Sequence, residues 1–391
     1  MSEQPPNHHP IVLALGGFLA LASAMGIGRF VYTPILPDMI SGVPLSPAAA
    51  GAIASANFLG YLVGALAGAT GWLKGAPRLW FLTGLALSTL TTAAIGLFGS
   101  VAAFVVLRFA GGAASALVLV FSSALVLDRL QQIGRPRLSA LHFAGVGTGI
   151  AFSATLIGTL HSQSASWQQL WFASGAASLV LMGLAWLCVP GVRSPKTTPH
   201  ASNEPAPHLA WSPALIRLVI AYGLFGFGYV ITATFISVIA ADNPHMSGTG
   251  QLVWLIVGLA AAPSIFLWNR VTEACGSAAA FSVACLLEAL GVALTVSGLG
   301  PAAIAIGAAL LGGTFMGLTA LGLTRVRLIT ENDPTRMLAL MTASFGLGQM
   351  AGPSVAGALR QASGSYTFAS LIAAAALLAA AALVFRSDPQ D

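Results

Sequence analysis

Two arginines, Arg29 and Arg108, lie inside stretches that otherwise hold almost only apolar residues. A guanidinium keeps its charge where a lysine would shed a proton, and charge in hydrocarbon is costly. Such a residue calls for a watery cavity, a counter-charge or an anionic ligand. Two guanidiniums could grip one carboxylate, phosphate or sulfonate through paired N–H donors. Tyr32 and Thr33 follow Arg29 by about one turn and lie on its face or an adjacent one. Asn57, Tyr222, Tyr229 and Gln349 are further polar side chains in apolar runs. Each can orient a ligand or merely satisfy a buried neighbour. Trp254 reads equally as cavity wall and as interface packing.

Two more groups could carry protons. Glu288 sits centrally in an apolar run, and an intramembrane carboxyl points to function by default. Its plain alternative is a protonated glutamate bonded between helices. His142 lies about one turn into another run, and an imidazole titrates near pH ~6.5. Its plain alternative is a neutral ring bonded near the helix start. The arginines have structural alternatives too. Arg29 could pair with Asp38 or cap helix-end carbonyls, and Arg108 could bond to the backbone of a neighbouring helix. Asp38 and Asp242 fall at helix ends, where water can reach them.

The elements that must position these residues follow from composition. The 391 residues are 57% hydrophobic and only 7% charged, with a mean hydropathy of +0.86. A soluble chain of this size needs far more charge to wet its surface. Apolar stretches near twenty residues recur throughout, the length that crosses about 30 Å of hydrocarbon as a helix. Twelve are expected: 11–35, 49–71, 79–98, 101–126, 138–160, 168–189, 213–240, 250–268, 277–298, 301–323, 337–359 and 365–385. No alternating barrel pattern competes with helices. Pro34 and Pro37 interrupt the end of the first span and Pro263 the eighth, as bends or as termini.

Basic residues orient the chain. With twelve spans, Lys74, Arg78, Arg129, Arg135, Arg137, Arg193, Lys196, Arg217, Arg270, Arg325, Arg327, Arg336 and Arg386 share one side, and Arg360 alone falls near the other. The positive-inside rule makes the crowded side cytoplasmic, with both termini there. The net charge of +5 is thus a topology signal and does not point to nucleic acid. The opening MSEQPPNHHP lacks Lys and Arg and runs into a full-length span, unlike a cleaved signal peptide. Cys188, Cys275 and Cys285 have no metal or disulfide spacing and read as free thiols.

Residues 190–211 are rich in proline and polar residues and read as a cytoplasmic linker between halves 1–189 and 212–391. The halves echo each other about 200 residues apart. Gly26-Ile27-Gly28-Arg29 lies over Gly226-Phe227-Gly228-Tyr229, Gly111-Gly112 over Gly312-Gly313, and Gly145-Val146-Gly147 over Gly346-Leu347-Gly348. This register puts Tyr229 at the repeat position of Arg29. Gly60, Gly64 and Gly68 form a small-residue ridge suited to close helix packing. A duplicated six-helix unit with a site between its copies is the common plan of secondary transporters.

Particular motifs support that plan. Arg108-Phe-Ala-Gly-Gly112-Ala-Ala-Ser-Ala116 resembles the fourth-helix motif of the major facilitator superfamily. The stretch Gly26-Ile-Gly-Arg-Phe-Val-Tyr-Thr-Pro-Ile-Leu-Pro-Asp-Met39 resembles the opening signature of its YbfB/YjiJ-like branch. The resemblance implies an all-α bundle of twelve transmembrane helices in two pseudo-symmetric six-helix halves. It also implies that spans 1, 2, 4, 5, 7, 8, 10 and 11 line a central cavity, with Arg108 linked to proton coupling. The chain departs from the superfamily at Gly71-Trp-Leu-Lys-Gly-Ala-Pro-Arg78, which lacks the usual acid. Span five also lacks the proline of drug–proton antiporters.

The resulting expectation is a monomeric secondary transporter in a bacterial cytoplasmic membrane. It would move a small organic anion by alternating access, coupled to protons. Arg29, Tyr32, Asn57, Arg108, Tyr222, Tyr229, Trp254 and Gln349 would bind the cargo; Glu288, His142 or Arg108 would couple protons. The alternative is a proton-coupled exporter of hydrophobic drugs or toxic metabolites. A membrane sensor is more remote, since no soluble output domain exists. No Walker motif suggests ATP drive, and no nucleophile elbow, zinc motif or aspartyl pair suggests an intramembrane enzyme. No cofactor or metal is expected.

Overall fold

The computed structural model describes residues 9–70, 73–190, 212–246, 250–329 and 334–385. The described residues form a helical bundle. Its first half comprises α1 (Pro10–Gly42), α2 (Pro47–Ala69), α3 (Pro77–Leu97), α4 (Val101–Gln132), α5 (Pro136–Ser162) and α6 (Trp167–Cys188). The second comprises α7 (Pro213–Ala241), α8 (Gly250–Ala261), α9 (Ser264–Thr295), α10 (Pro301–Ile329), α11 (Pro334–Ser363) and α12 (Thr367–Phe385). The expected linker lies outside the described residues, apart from Pro190.

Among the described residues ten helices are long and apolar enough to cross a membrane by themselves; α8 and α11 are the other two. At 1.5 Å per residue, the 12 residues of α8 reach about 18 Å. The chain bends at Ala262-Pro263, and Ser264 onward carries it further. The turn into the ninth span comes later, inside α9, where Gly276 takes φ +81°. Pro263 therefore bends span eight rather than ending it. α11 is 30 residues long, but Thr342, Ser344, Gln349 and Ser354 lower its apolarity. Large apolar side chains such as Leu90, Val106, Leu187, Leu259 and Phe368 cover the outside, as lipid-facing surfaces require.

Within each half, close helix pairs repeat. A side chain at Gly112 on α4 would collide with the Asn57 carbonyl on α2; one at Gly312 on α10 would collide with the Val257 carbonyl on α8. That pairing keeps the expected offset of 200. The α1–α5 and α7–α11 pairs do not. Gly145 meets the Phe18 carbonyl and Gly348 the Gly223 carbonyl; Gly149 meets Ala22 and Gly352 meets Phe227. These contacts set an offset of 205 between α1 and α7. Carried past the widened turn at Ala22–Ile27, that register puts the repeat position of Arg29 about one turn beyond Tyr229, toward Thr234. Contact register, not the glycine spelling, decides the correspondence.

The halves meet most closely away from the face where α1 begins and α12 ends. α1 is buried without a gap from Ala20 to Leu36, and α7 from Gly228 to Val238. Ser354 Oγ donates to Ser55 Oγ at 2.8 Å, and Thr33 Oγ1 donates to the Ala233 carbonyl at 2.8 Å. At this distal end each half also carries a polar clasp. Asp38 of α1 holds His161 of α5 at 2.8 Å, and Asp242 beside α7 holds Arg360 of α11 at 2.9 Å.

Candidate functional site

Arg29 lies where α1 stops being a helix. α1 widens into a π-turn over Ala22–Ile27, and residues 28–31 form a turn before the helix resumes at Tyr32. The cause can be followed hydrogen by hydrogen. Pro34 has no N–H to give to the Phe30 carbonyl four residues back. The Thr33 N–H takes that carbonyl instead, at 3.2 Å. The Arg29 carbonyl thereby loses its usual helical donor.

Arg108 supplies replacements. Its Nη1 donates to Gly28 O at 3.1 Å and its Nη2 to Arg29 O at 2.9 Å. A planar fork suits two neighbouring carbonyls, which a lysine point charge could not bridge equally. Asn57 Nδ2 in turn donates to the Arg108 carbonyl at 2.9 Å. Tyr32 gives its hydroxyl proton to Ala50 O at 3.0 Å and sets its ring 5.0 Å from the Arg108 guanidinium. Arg108, Asn57 and Tyr32 thus fasten α1, α2 and α4 together around the break.

The Arg29 side chain crosses to the other half. Its Nη2 donates to Gln349 Oε1 on α11 at 3.0 Å. Gln349 Nε2 donates to the Tyr229 hydroxyl on α7. The guanidinium carbon lies 4.1 Å from the Tyr61 ring centroid, 4.8 Å from Phe58 and 5.4 Å from Phe30. Such cation–π contacts attract most when desolvated, and Arg29 is only 3% exposed. Its Nε is buried without an acceptor. The alternative ion pair between Arg29 and Asp38 does not form; Asp38 turns to His161 instead.

Arg29 and Arg108 line one cavity with Phe30, Tyr32, Thr33, Phe58 and Thr234. Its volume is about 10 Å³, room for roughly a single water. The two arginines thus border one space too small for a cargo, not an open aqueous vestibule.

Aromatic rings continue into the second half. Tyr229 lies parallel to Phe315 at 5.6 Å and to Phe345 at 5.8 Å. Tyr222 stacks on Phe345 at 5.0 Å and donates to Thr319 O at 3.0 Å. Trp254 packs on Phe30 across the seam, at 6.3 Å between centroids, with its indole N–H buried and unpaired. The sequence reading singled out Tyr222, Tyr229, Trp254 and Gln349 but missed Phe30, Phe58, Tyr61, Phe315 and Phe345. Tyr61 could have been found, since it lies four residues from Asn57 on one face.

The titratable candidates sit apart from Arg29. Glu288 on α9 is fully buried, and neither carboxyl oxygen has a hydrogen-bond partner. Thr314 of α10 is its hydroxyl neighbour, but gives its own proton to Leu310 O at 2.7 Å. A neutral Glu288 could donate toward the Thr314 hydroxyl oxygen. His142 on α5 is fully buried with both ring nitrogens unpaired. It occupies the space that a side chain at Gly17 would need, and meets Phe143 edge-on at 5.0 Å. Both therefore keep unspent hydrogen-bonding capacity inside the bundle. Among the described residues, no group of three His, Cys, Asp or Glu could hold a metal, and the three cysteines are free.

Comparisons with known proteins agree with this architecture. The bundle superposes on a variant of the nucleoside transporter NupG with a TM-score of 0.75, at 14% identity over 96% of this chain and 99% of that one. The D-xylose-proton symporter gives 0.74, at 14% identity and 97% of each chain. At such identities the likeness shows the fold. An uncharacterized MFS-type transporter, YceJ of Bacillus subtilis (strain 168), is 28% identical over 272 residues, which span 66% of each chain. Residues 21–385 match the family described as the uncharacterised MFS-type transporter YbfB. The chain belongs to that family of major facilitator transporters, and it is a membrane carrier rather than an enzyme.

Proposed function

We propose that this transporter moves a small organic anion by alternating access, coupled to protons, with Arg29 as the anchor for the anion. One observation carries the reading. Arg29 is a buried guanidinium at the seam between the halves, held by a neutral amide and by ring faces, with one donor unspent. A buried cation without a carboxylate partner is costly, and an anionic cargo would relieve that cost in the loaded state. Gln349 is the group such a cargo would displace.

Arg108 serves this reading from behind, by fixing the main chain of Arg29. Tyr32 and Asn57 support it. Tyr222, Tyr229, Trp254 and Gln349 form the opposing wall. Glu288 is the leading proton carrier, because its carboxyl is fully buried in the bundle with only the Thr314 hydroxyl as a polar neighbour. His142 is the second candidate. By the positive-inside rule the face holding both termini is cytoplasmic, so the distal closure faces outward in a bacterial inner membrane. The carrier works as a monomer within lipid.

The ring-lined wall also suits the second reading, export of neutral hydrophobic compounds. Charge separates the two. Purified protein in liposomes should accumulate a labelled organic acid under an imposed pH gradient, and Arg29→Gln should abolish this while preserving insertion. Accumulation of neutral or cationic compounds but of no acid would replace the anion reading with the exporter.

A further inference from the structure

The space beside Arg29 is filled by two of the protein's own groups. The flat amide of Gln349 presents an oxygen to Arg29 Nη2 at 3.0 Å. Its nitrogen is bonded to the Tyr229 hydroxyl. The Tyr229 ring is the shared neighbour of two parallel rings, Phe315 at 5.6 Å with planes 5° apart and Phe345 at 5.8 Å with planes 4° apart. Amide and phenol together make a chain of flat groups, oxygen at one end and ring at the other. The residual cavity is about 10 Å³, so a cargo must replace these groups rather than sit beside them.

The resident groups leave demand unmet. Arg29 Nε and Trp254 Nε1 are buried donors without acceptors. An amide brings one oxygen, whereas a carboxylate brings two oxygens with about four lone-pair sites. A carboxylate could therefore take two donors of the guanidinium together. Rings of both halves flank this chain of groups: Phe58 and Tyr61 lie against the Arg29 guanidinium, and Phe315 and Phe345 lie parallel to Tyr229 at its other end, faces that a cargo replacing Tyr229 would meet. An aliphatic acid would satisfy the charge but not these faces, since parallel ring contacts require a π surface.

Resting on the anion reading above, we infer that the cargo is a flat aromatic carboxylate. Its carboxylate takes the place of Gln349 Oε1 at Arg29, and its ring joins the layer of Phe315 and Phe345. Binding then exchanges a bond between the halves for bonds to the cargo. The Arg29–Gln349 link opens as the ligand arrives, which couples recognition to separation of the halves.

The test measures binding to the full-length protein in detergent by titration calorimetry. Three probes share one outline: 2-naphthoate, its saturated analogue decahydro-2-naphthoate, and the uncharged 2-naphthamide. Naphthoate should bind about tenfold more tightly than the saturated acid, the scale of one or two ring contacts. Naphthamide should bind at least about tenfold more weakly than naphthoate, as expected when a charged hydrogen bond is lost. Phe345→Leu should bring the two acids close to parity while binding of the saturated acid persists. Equal or tighter binding of the saturated acid by the native protein overturns the aromatic inference and leaves the anion reading standing. Naphthamide matching naphthoate, or neither acid binding, overturns both.

Discussion

Arg108 holds the main chain of Arg29: its Nη2 lies 2.9 Å from the Arg29 carbonyl, while Nη1 lies 3.1 Å from that of Gly28. One buried cation thus fixes the origin of another. The two arginines share a cavity but divide the labour, one toward the backbone and one toward the opposite half. Arg108 is a positioning residue on this geometry.

Arg108→Ala should lower thermal stability and abolish transport together. It orphans two buried carbonyls, each worth about 1–3 kcal/mol of desolvation. Arg108→Lys should recover little of either, because a single ammonium cannot fork across both acceptors. Melting curves in detergent beside liposome uptake decide the matter. A variant that melts like the native protein yet binds no cargo would place Arg108 in direct contact with the ligand.

Arg29→Lys should keep the fold and weaken binding of organic acids by about tenfold or more, the scale of one lost charged hydrogen bond. The ammonium retains charge but not the planar fork or the stacking on Tyr61. Calorimetric titration with 2-naphthoate would check this. Unchanged affinity would mean that bare positive charge suffices.

Glu288→Gln should uncouple transport from the pH gradient. The amide cannot release or accept the carboxyl proton, so cargo exchange between equal compartments should continue with a flattened pH profile. Uphill accumulation driven by acid on one side should fail. An unaltered profile and full accumulation would leave Glu288 as a packing residue and move attention to His142.

The contact between Ser55 and Ser354, 2.8 Å between hydroxyl oxygens, offers a direct probe of closure. In a background lacking the three native cysteines, Ser55→Cys with Ser354→Cys should oxidise readily, since the spacing suits a disulfide. Transport should stop under oxidant and return under reductant. Continued uptake by the cross-linked protein would mean that this seam does not open during the cycle.

Much of the fold was legible because hydrocarbon imposes a crude code of length and apolarity. Helices α1 to α7, α9, α10 and α12 declare themselves that way. α8 is less plain because Pro263 cuts it short, and α11 because its polar side chains face the seam. The site was legible in membership more than in arrangement. Arg29 and Gln349 are 320 residues apart, and no local spacing announces their bond. A bond to neighbouring backbone was one reading of Arg108, but that its acceptors are the Gly28 and Arg29 carbonyls, the latter freed beside Pro34, shows only in the folded chain. Tyr229 was misplaced relative to Arg29 because glycine-rich strings align at more than one register, whereas packed carbonyls admit one.

The paired acids at the distal end have an unequal consequence. Arg360 of α11 grips Asp242 with a guanidinium, whereas His161 of α5 grips Asp38 with one ring nitrogen, Nδ1. An imidazole takes acyl reagents that a guanidinium refuses. A reagent of that kind would undo the clasp on the first six helices and leave that on the last six as it was. The molecule would then loosen lopsidedly, an imbalance that hydrogen exchange compared before and after treatment could read at the ends of α1 and α5.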